Sequence, residues 1–347
     1  MPGYDVYLVG SVPMPDAETV FKVTSQALGP RLKRIPDGET GQRLNWIVWL
    51  ETIFRDHPKL EPSDETFRVH ERSPTFTRYR MRQGVSAADL VFDSLPWGDV
   101  AIDSYAVFRR LRDRGEIRPG TKFQVDLVPA HSVIWLFIKS DQQGAIDPVF
   151  NAAVGREIEK IAAAIPHEDL AIQLDVASAV FARLQRGRGD VYGATKEEMF
   201  GRFTEILAAL GNRVPTDVDL LYHFCYGDSE HRHVVEPTDM GDMVELANRL
   251  TGAVRRPIQL IHMPVPRDRS DDAYFEPLKR LATSPETQIC LGLVHHTDGV
   301  PGTMKRLATA RKYRNEFSIA TECGLGRRPP DTIPELLRIH RTVADMA

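Results

Sequence analysis

Cysteine is scarce, with three residues in a chain of 347. A small, odd number excludes a disulfide scaffold and points to a reducing, cytoplasmic setting. Long hydrophobic runs are missing as well. The longest uninterrupted apolar stretches, such as residues 133–138, fall far short of the ~20 residues needed to cross a bilayer, so no transmembrane helix and no membrane partner are expected. No basic segment precedes the short apolar stretch at residues 6–9, which speaks against a secretory signal. Neither sign of charge dominates: 44 Lys plus Arg against 48 Asp plus Glu leave a formal charge of −4, which excludes a general polyanion binder and so a nucleic-acid partner. What is present, 42% hydrophobic and 27% charged residues with 24 Gly and 24 Pro spread throughout, is the composition of a globular protein with a large core.

Short runs rich in Val, Ile and Leu recur along the chain, bounded by polar residues, Gly or Pro. Eight are found, at residues 4–11, 31–39, 122–129, 170–177, 217–226, 257–265, 287–296 and 317–325. Amphipathic stretches that read as helices lie between most of them, at 17–28, 152–164, 196–210, 240–250, 273–282 and 302–312, with 334–347 closing the chain. Strand alternating with helix implies a parallel sheet, and runs that are apolar almost to their ends fit strands buried on both faces. Eight such units predict an α/β fold, a single (β/α)₈ TIM-barrel domain over 1–347. Residues 40–121 are far longer than one crossover requires and read as an insertion between the second and third strands, a lid over the barrel mouth or the contact of a homodimer. Within it, 45–54 and 105–114 read as helical and 61–74 as a polar, Pro-containing stretch.

In such a barrel the active site is built where strands end, and the polar residues of these runs concentrate there. His223 and Cys225 are spaced i and i+2, so an imidazole and a thiolate share one strand face. With Cys323 near the end of the last run they make a set suited to a catalytic Zn²⁺ with an exchangeable position. His262 either adds a fourth ligand or caps the core, whereas Cys290, near the start of its run, reads as core. His295 and His296 point to opposite faces, so at most one joins the site, with Asp175 or His296 as the catalytic base. Asp37 with Glu39, and Gln173 with Asp175, are further i, i+2 pairs able to hold an ammonium group or to act as acid and base. Ser11, in a Gly-Ser turn, offers a backbone N–H and a hydroxyl to substrate. The His231-Arg-His233 cluster and the arginines at 267, 269, 327 and 328 read as loop charges that can contact substrate.

In this order the residues resemble the C-terminal catalytic barrel of cobalamin-independent methionine synthase, from Leu8 to about Arg328. Leu8-Val-Gly-Ser-Val-Pro is similar to the family's opening Ile-Gly-Ser-(aromatic)-Pro, and Asp37-Gly-Glu to the segment whose Glu holds the amino group of homocysteine. Ile172-Gln-Leu-Asp175 resembles Ile-Gln-(aliphatic)-Asp, and Gly292-Leu-Val-His-His is a looser match. The most specific likenesses are His223-Phe-Cys-Tyr to His-Met-Cys-Tyr and Glu322-Cys-Gly-Leu to Asp-Cys-Gly-Leu. The resemblance implies zinc on His223, Cys225 and Cys323 and transfer of a methyl or other alkyl group to a substrate thiol oriented by Ser11, Glu39, Gln173 and Asp175.

Three departures bear on the transfer. The family's glutamate ligand has no counterpart, His262 lying nearest its place; Val176 stands where the family has Glu; and 347 residues leave no room for the second barrel that helps bind folate. A short single-barrel member with methylcobalamin, a corrinoid protein or another alkyl donor is therefore expected. A metal-assisted lyase or hydrolase, and a barrel that only binds ligand, are the alternatives.

Overall fold

The computed structural model describes residues 3–68, 74–227 and 232–346. Nine strands are described: β1 (Arg34–Pro36), β2 (Leu60–Phe67), β3 (Phe76–Met81), β4 (Lys122–Leu127), β5 (Leu170–Val176), β6 (Asp219–Phe224), β7 (Leu260–Pro264), β8 (Gln288–Val294) and β9 (Ser318–Thr321). The helices are α1 (Ala17–Leu28), α2 (Glu51–Arg55), α3 (Trp97–Asp113), α4 (Ala130–Phe137), α5 (Gln143–Ala164), α6 (Ser178–Arg186), α7 (Lys196–Gly211), α8 (Gly241–Ala253), α9 (Asp272–Phe275), α10 (Gly299–Ala310) and α11 (Ile333–Asp345). Seven strands form one parallel sheet in the order β1-β4-β5-β6-β7-β8-β9. Its two edges meet the N-terminal segment: Val6 bridges Leu32 on one side and Ile319 on the other, both in parallel. The sheet therefore curls into a TIM-barrel-like α/β fold.

The run at 4–11 thus contributes a bridge rather than a full strand. Its neighbour β1 stops after three residues, at Pro36, which has no N–H to continue the ladder. Elsewhere the alternation of side chains explains both layers of the core. Leu170, Ile172, Leu174 and Val176 of β5 face outward into the large core under the helices, while Ala171 joins Tyr7, Val9, Leu221, Leu260, Cys290 and Ala320 in a separate cluster inside the curl. Cys290 is accordingly an interior packing residue, its thiol pushed up to about 12 by burial. Below that cluster lies a charged floor, where Lys122 Nζ bonds Asp219 Oδ1 at 2.7 Å and Arg34 Nε bonds Asp219 Oδ2 at 2.8 Å. Above it, Asp175, His223 and His262 stand in register on adjacent strands. Register alone thus delivers an acid and two imidazoles to one row.

Several local expectations are revised. The helix expected at 45–54 is broken into 3-10 turns and the short α2, because Trp46 takes a positive φ of 54° that no helix accommodates. Residues 61–67, read as part of a polar stretch, belong to β2 (Leu60–Phe67), which alternates between more and less buried positions and pairs antiparallel with β3 in a two-stranded sheet. Pro277 divides the helix expected at 273–282 into α9 and a 3-10 turn. Within 40–121, α3 packs against α1 and α5 as a crossover helix does. All eight residues of α4 are buried, as in a helix that is apolar nearly all round.

Candidate functional site

At the C-terminal ends of the strands lies a cavity of about 100 Å³. Ser11, Glu39, Asp175, His223, Cys225 and Cys323 of the expected site residues line it, joined by Asp126, Arg327 and a set of apolar side chains. His223, Cys225 and Cys323 each turn one ligand-type atom to a common point, all within 4.8 Å of one another. The two sulfurs are 3.4 Å apart, and Cys323 Sγ is 3.9 Å from His223 Nε2. One nitrogen and two sulfurs at this spacing form a donor set that fits Zn²⁺.

The tautomer of His223 follows from its neighbours. His262 Nε2 is 3.0 Å from the Thr321 carbonyl, which can only accept, so that nitrogen carries a proton. Burial pushes the His262 imidazolium down to about 4, leaving the ring neutral with an unprotonated Nδ1. That Nδ1 lies 2.8 Å from His223 Nδ1, which therefore donates, and His223 Nε2 is left with a lone pair on the cysteine side. Burial, with His262 second, holds the His223 imidazolium well below the usual range, in keeping with a neutral donor. His262, expected as a fourth ligand, thus stands behind His223 with both ring nitrogens engaged. The ring has room because Gly292 faces it: a Cβ there would come within 2.8 Å of Glu322 Cα, 2.9 Å of the Thr321 oxygen and 3.1 Å of His262 Nε2. Replacing His262 by Ala should lower zinc affinity about 10–100-fold, and His262→Asn, which keeps an acceptor, should restore part of it in a competition titration with a chromogenic chelator.

A second pole is made by carboxylates. Asp175 accepts from Gln173 Nε2 at 2.8 Å and from Trp46 Nε1 at 3.1 Å. Asp126 accepts from Gln124 Nε2 at 2.9 Å, so Gln124-x-Asp126 on β4 repeats Gln173-x-Asp175 on β5. That repetition was the sequence signal for Asp126, and the expected set lacked it. Glu39 completes the trio from a backbone with φ of +45°, held by a bond from its N–H to Asp37 Oδ1 at 2.8 Å. Asp37 itself turns away, paired with Arg43 at 2.9 and 3.1 Å and bonded by Ser104 Oγ at 2.7 Å. Gly10 lets the acids converge, since a Cβ there would lie 2.8 Å from Asp126 Oδ2 and 3.6 Å from Glu39 Oε2. Burial, then the charge of Asp175, pushes the Glu39 carboxyl up to about 8. Burial raises Asp175 to about 7, and it raises Asp126 well above the carboxylate range together with Asp175 and Glu39.

The remaining expected residues sit around this centre. Gln173 lies one step below it, bonded to Val9 O at 2.9 Å and accepting from Tyr7 OH. Ser11 Oγ accepts the Gly326 N–H at 3.2 Å, and Ser11 O accepts that of Leu325 at 2.6 Å, so this turn secures the loop that carries Cys323. His296, expected as a base, is half-buried and absent from the cavity lining. Its neighbour His295 is the inward one, donating to Val265 O at 2.8 Å with Nδ1 3.8 Å from Glu322 Oε2. Of the cluster at 231–233, His231 lies outside the described residues, while His233 bonds Glu322 at 2.7 Å and Glu236 at 2.8 Å. Burial opposes charge on His233, yet the two glutamates push it up to about 9.

Among solved structures, 33 chains match. One is a B12-independent methionine synthase from Shewanella sp. W3-18-1 in complex with selenomethionine, aligned over 100% of this chain and 98% of that one with a TM-score of 0.64 at 14% identity. The fold is methionine synthase-like. The neighbour matches over nearly its whole length, so its aligned chain has about the same extent as this one. No protein-family model and no curated protein matches the sequence. Among the described residues, no helix is long and apolar enough to cross a membrane.

Proposed function

We propose that this protein is a zinc-dependent alkyltransferase that moves a methyl or other alkyl group to a substrate thiol. The observation that carries the reading is the convergence of His223, Cys225 and Cys323 at the mouth of a methionine synthase-like fold. Zinc held by these three residues would lower the pKa of a thiol and so supply a nucleophile at neutral pH. His223 offers the Nε2 lone pair that its bond to His262 leaves free. Asp175, raised to about 7, is about half ionised at neutral pH and so poised to take up the thiol proton, while Glu39, raised to about 8, stands beside it mostly protonated. In the transfer a sulfur–carbon bond forms and the donor's bond from carbon to leaving group breaks, its electron pair staying on the leaving group.

The donor is an activated alkyl compound such as methylcobalamin, or a corrinoid protein, in the cytoplasmic setting that three free cysteines suit. Residues 45–48, 74 and 76 of the 40–121 segment supply part of the cavity wall. The test is product analysis by mass spectrometry after incubating zinc-loaded protein with a panel of thiols and alkyl donors, methylcobalamin included. S-alkylated product that vanishes in Cys323→Ser is expected. Turnover of a small molecule without any thiol would instead favour a metal-assisted lyase or hydrolase on the same residues.

A further inference from the structure

The cavity has a second wall that neither the metal ligands nor the acids explain. Trp46, Val48, Pro74, Phe76, Trp135 and Leu136 also line the cavity, and the apolar part of the lining exceeds the polar part. This wall is built rather than incidental. Trp135 packs on Phe67 with ring centroids 4.9 Å apart and carries the Arg183 guanidinium 5.5 Å from its centroid on the other side. Phe76 meets Phe137 edge-on at 5.9 Å, and the Trp46 indole is pinned by its N–H to Asp175 Oδ2 at 3.1 Å. These side chains come from the 3-10 turns after Gly41, from the two-stranded β2–β3 sheet and from α4, three separate elements that contribute aromatic or aliphatic groups to one surface.

A water-filled cavity gains nothing from such a wall, whereas an apolar ligand gains from each methylene that it hides there. The charged side of the lining is equally selective. Glu39, Asp126 and Asp175 place three buried carboxyl groups against one guanidinium, that of Arg327, and burial together with their proximity already disfavours their own ionisation, so a further anionic substituent would be disfavoured there as well and a neutral or cationic one would not.

From this two-faced lining we infer that the acceptor is a thiol with an apolar, non-anionic body, seated with its sulfur toward His223, Cys225 and Cys323 and its hydrocarbon against Trp46, Phe76 and Trp135. The inference rests on the thiol-acceptor reading above and names the class of thiol. It sets the site apart from one built for a carboxylate-bearing amino acid or a polyanionic donor.

The test is equilibrium binding to the full-length protein loaded with Co²⁺, read from the thiolate-to-cobalt absorption, with ethanethiol, hexanethiol and 3-mercaptopropionate as the probes. Each methylene buried against the wall is worth about a fourfold gain, so hexanethiol should bind at least about tenfold more tightly than ethanethiol. The propionate should bind more weakly than either. Val48→Lys, at a half-buried position, and Trp135→Ala should each keep the cobalt and cut the hexanethiol-to-ethanethiol ratio to below about three. A ratio near one in the wild type, tighter binding of the propionate, or an unchanged ratio in both variants overturns the inference and leaves the thiol reading standing. Absence of any spectral change with all three probes overturns both.

Discussion

Zinc content is expected to fall from about one atom per chain to below about a tenth in Cys225→Ser and in Cys323→Ser, and to stay at about one in Cys290→Ser. Elemental analysis of the purified proteins is the measurement, with far-ultraviolet circular dichroism to show that each variant folds. The contrast among three cysteines of one chain makes the experiment decisive. Cys225 and Cys323 put their sulfurs 3.4 Å apart beside His223 Nε2, whereas Cys290 packs among Tyr7, Leu221 and Leu260 inside the curled sheet. A hydroxyl in place of either ligating sulfur removes a soft, anionic donor and leaves two protein ligands, too few to hold zinc against dilution. Cys290→Ser changes only a small buried side chain, and Ser318 Oγ is already a neighbour in reach of the new hydroxyl. Retention of zinc in both ligand variants would show that the metal sits elsewhere.

Much of this centre could be read before the fold was known, for reasons specific to strands. A period of two puts His223 and Cys225 on one face whatever the barrel looks like, and the runs that carry them are buried on both sides, so their apolar character stands out. What escaped depends on neighbours distant in sequence. Asp126 lies inside an apolar run, and its Gln124-x-Asp126 repeat gains its meaning when β4 sets it against Gln173, near Asp175 and across Gly10 from Glu39. His262 reads equally well as a ligand or as its support, and the choice falls to a backbone carbonyl fifty-nine residues away, that of Thr321. The aromatic wall is hidden for the same reason, since Trp46, Phe76 and Trp135 come from three elements whose meeting no local pattern encodes. Where a residue follows a regular period the pattern names its face, and where it follows a turn such as the one at Trp46 it does not.

The carboxylate trio has a thermodynamic consequence in the absence of any substrate. An acid whose folded pKa is raised binds more protons in the folded than in the unfolded state between the two values, so stability declines as pH rises through that interval. Here the unfolded values lie near 4, and Glu39 and Asp175 rise to about 8 and 7 because burial disfavours both charges and the charge of Asp175 adds to the effect on Glu39. Stability contributed by this cluster is therefore intact below about pH 4 and lost progressively up to about pH 8.

Asp126→Asn should relieve it. The amide oxygen can still accept from Gln124 Nε2, while a carboxyl that burial and its two acidic neighbours keep from ionising is replaced by a group that does not titrate. The variant is expected to match the wild type at pH 4 and to exceed it by about 1–2 kcal/mol at pH 8, both measured by urea denaturation at equal zinc load. Equal loading makes the metal's own pH dependence cancel in the difference. A gain at pH 8 would mean that the fold tolerates an electrostatic cost at its mouth, which is how a site retained for ligand rather than for stability behaves. A loss of stability that is the same at both pH values would instead make Asp126 a packing and hydrogen-bonding residue, and the trio would no longer act as one electrostatic unit.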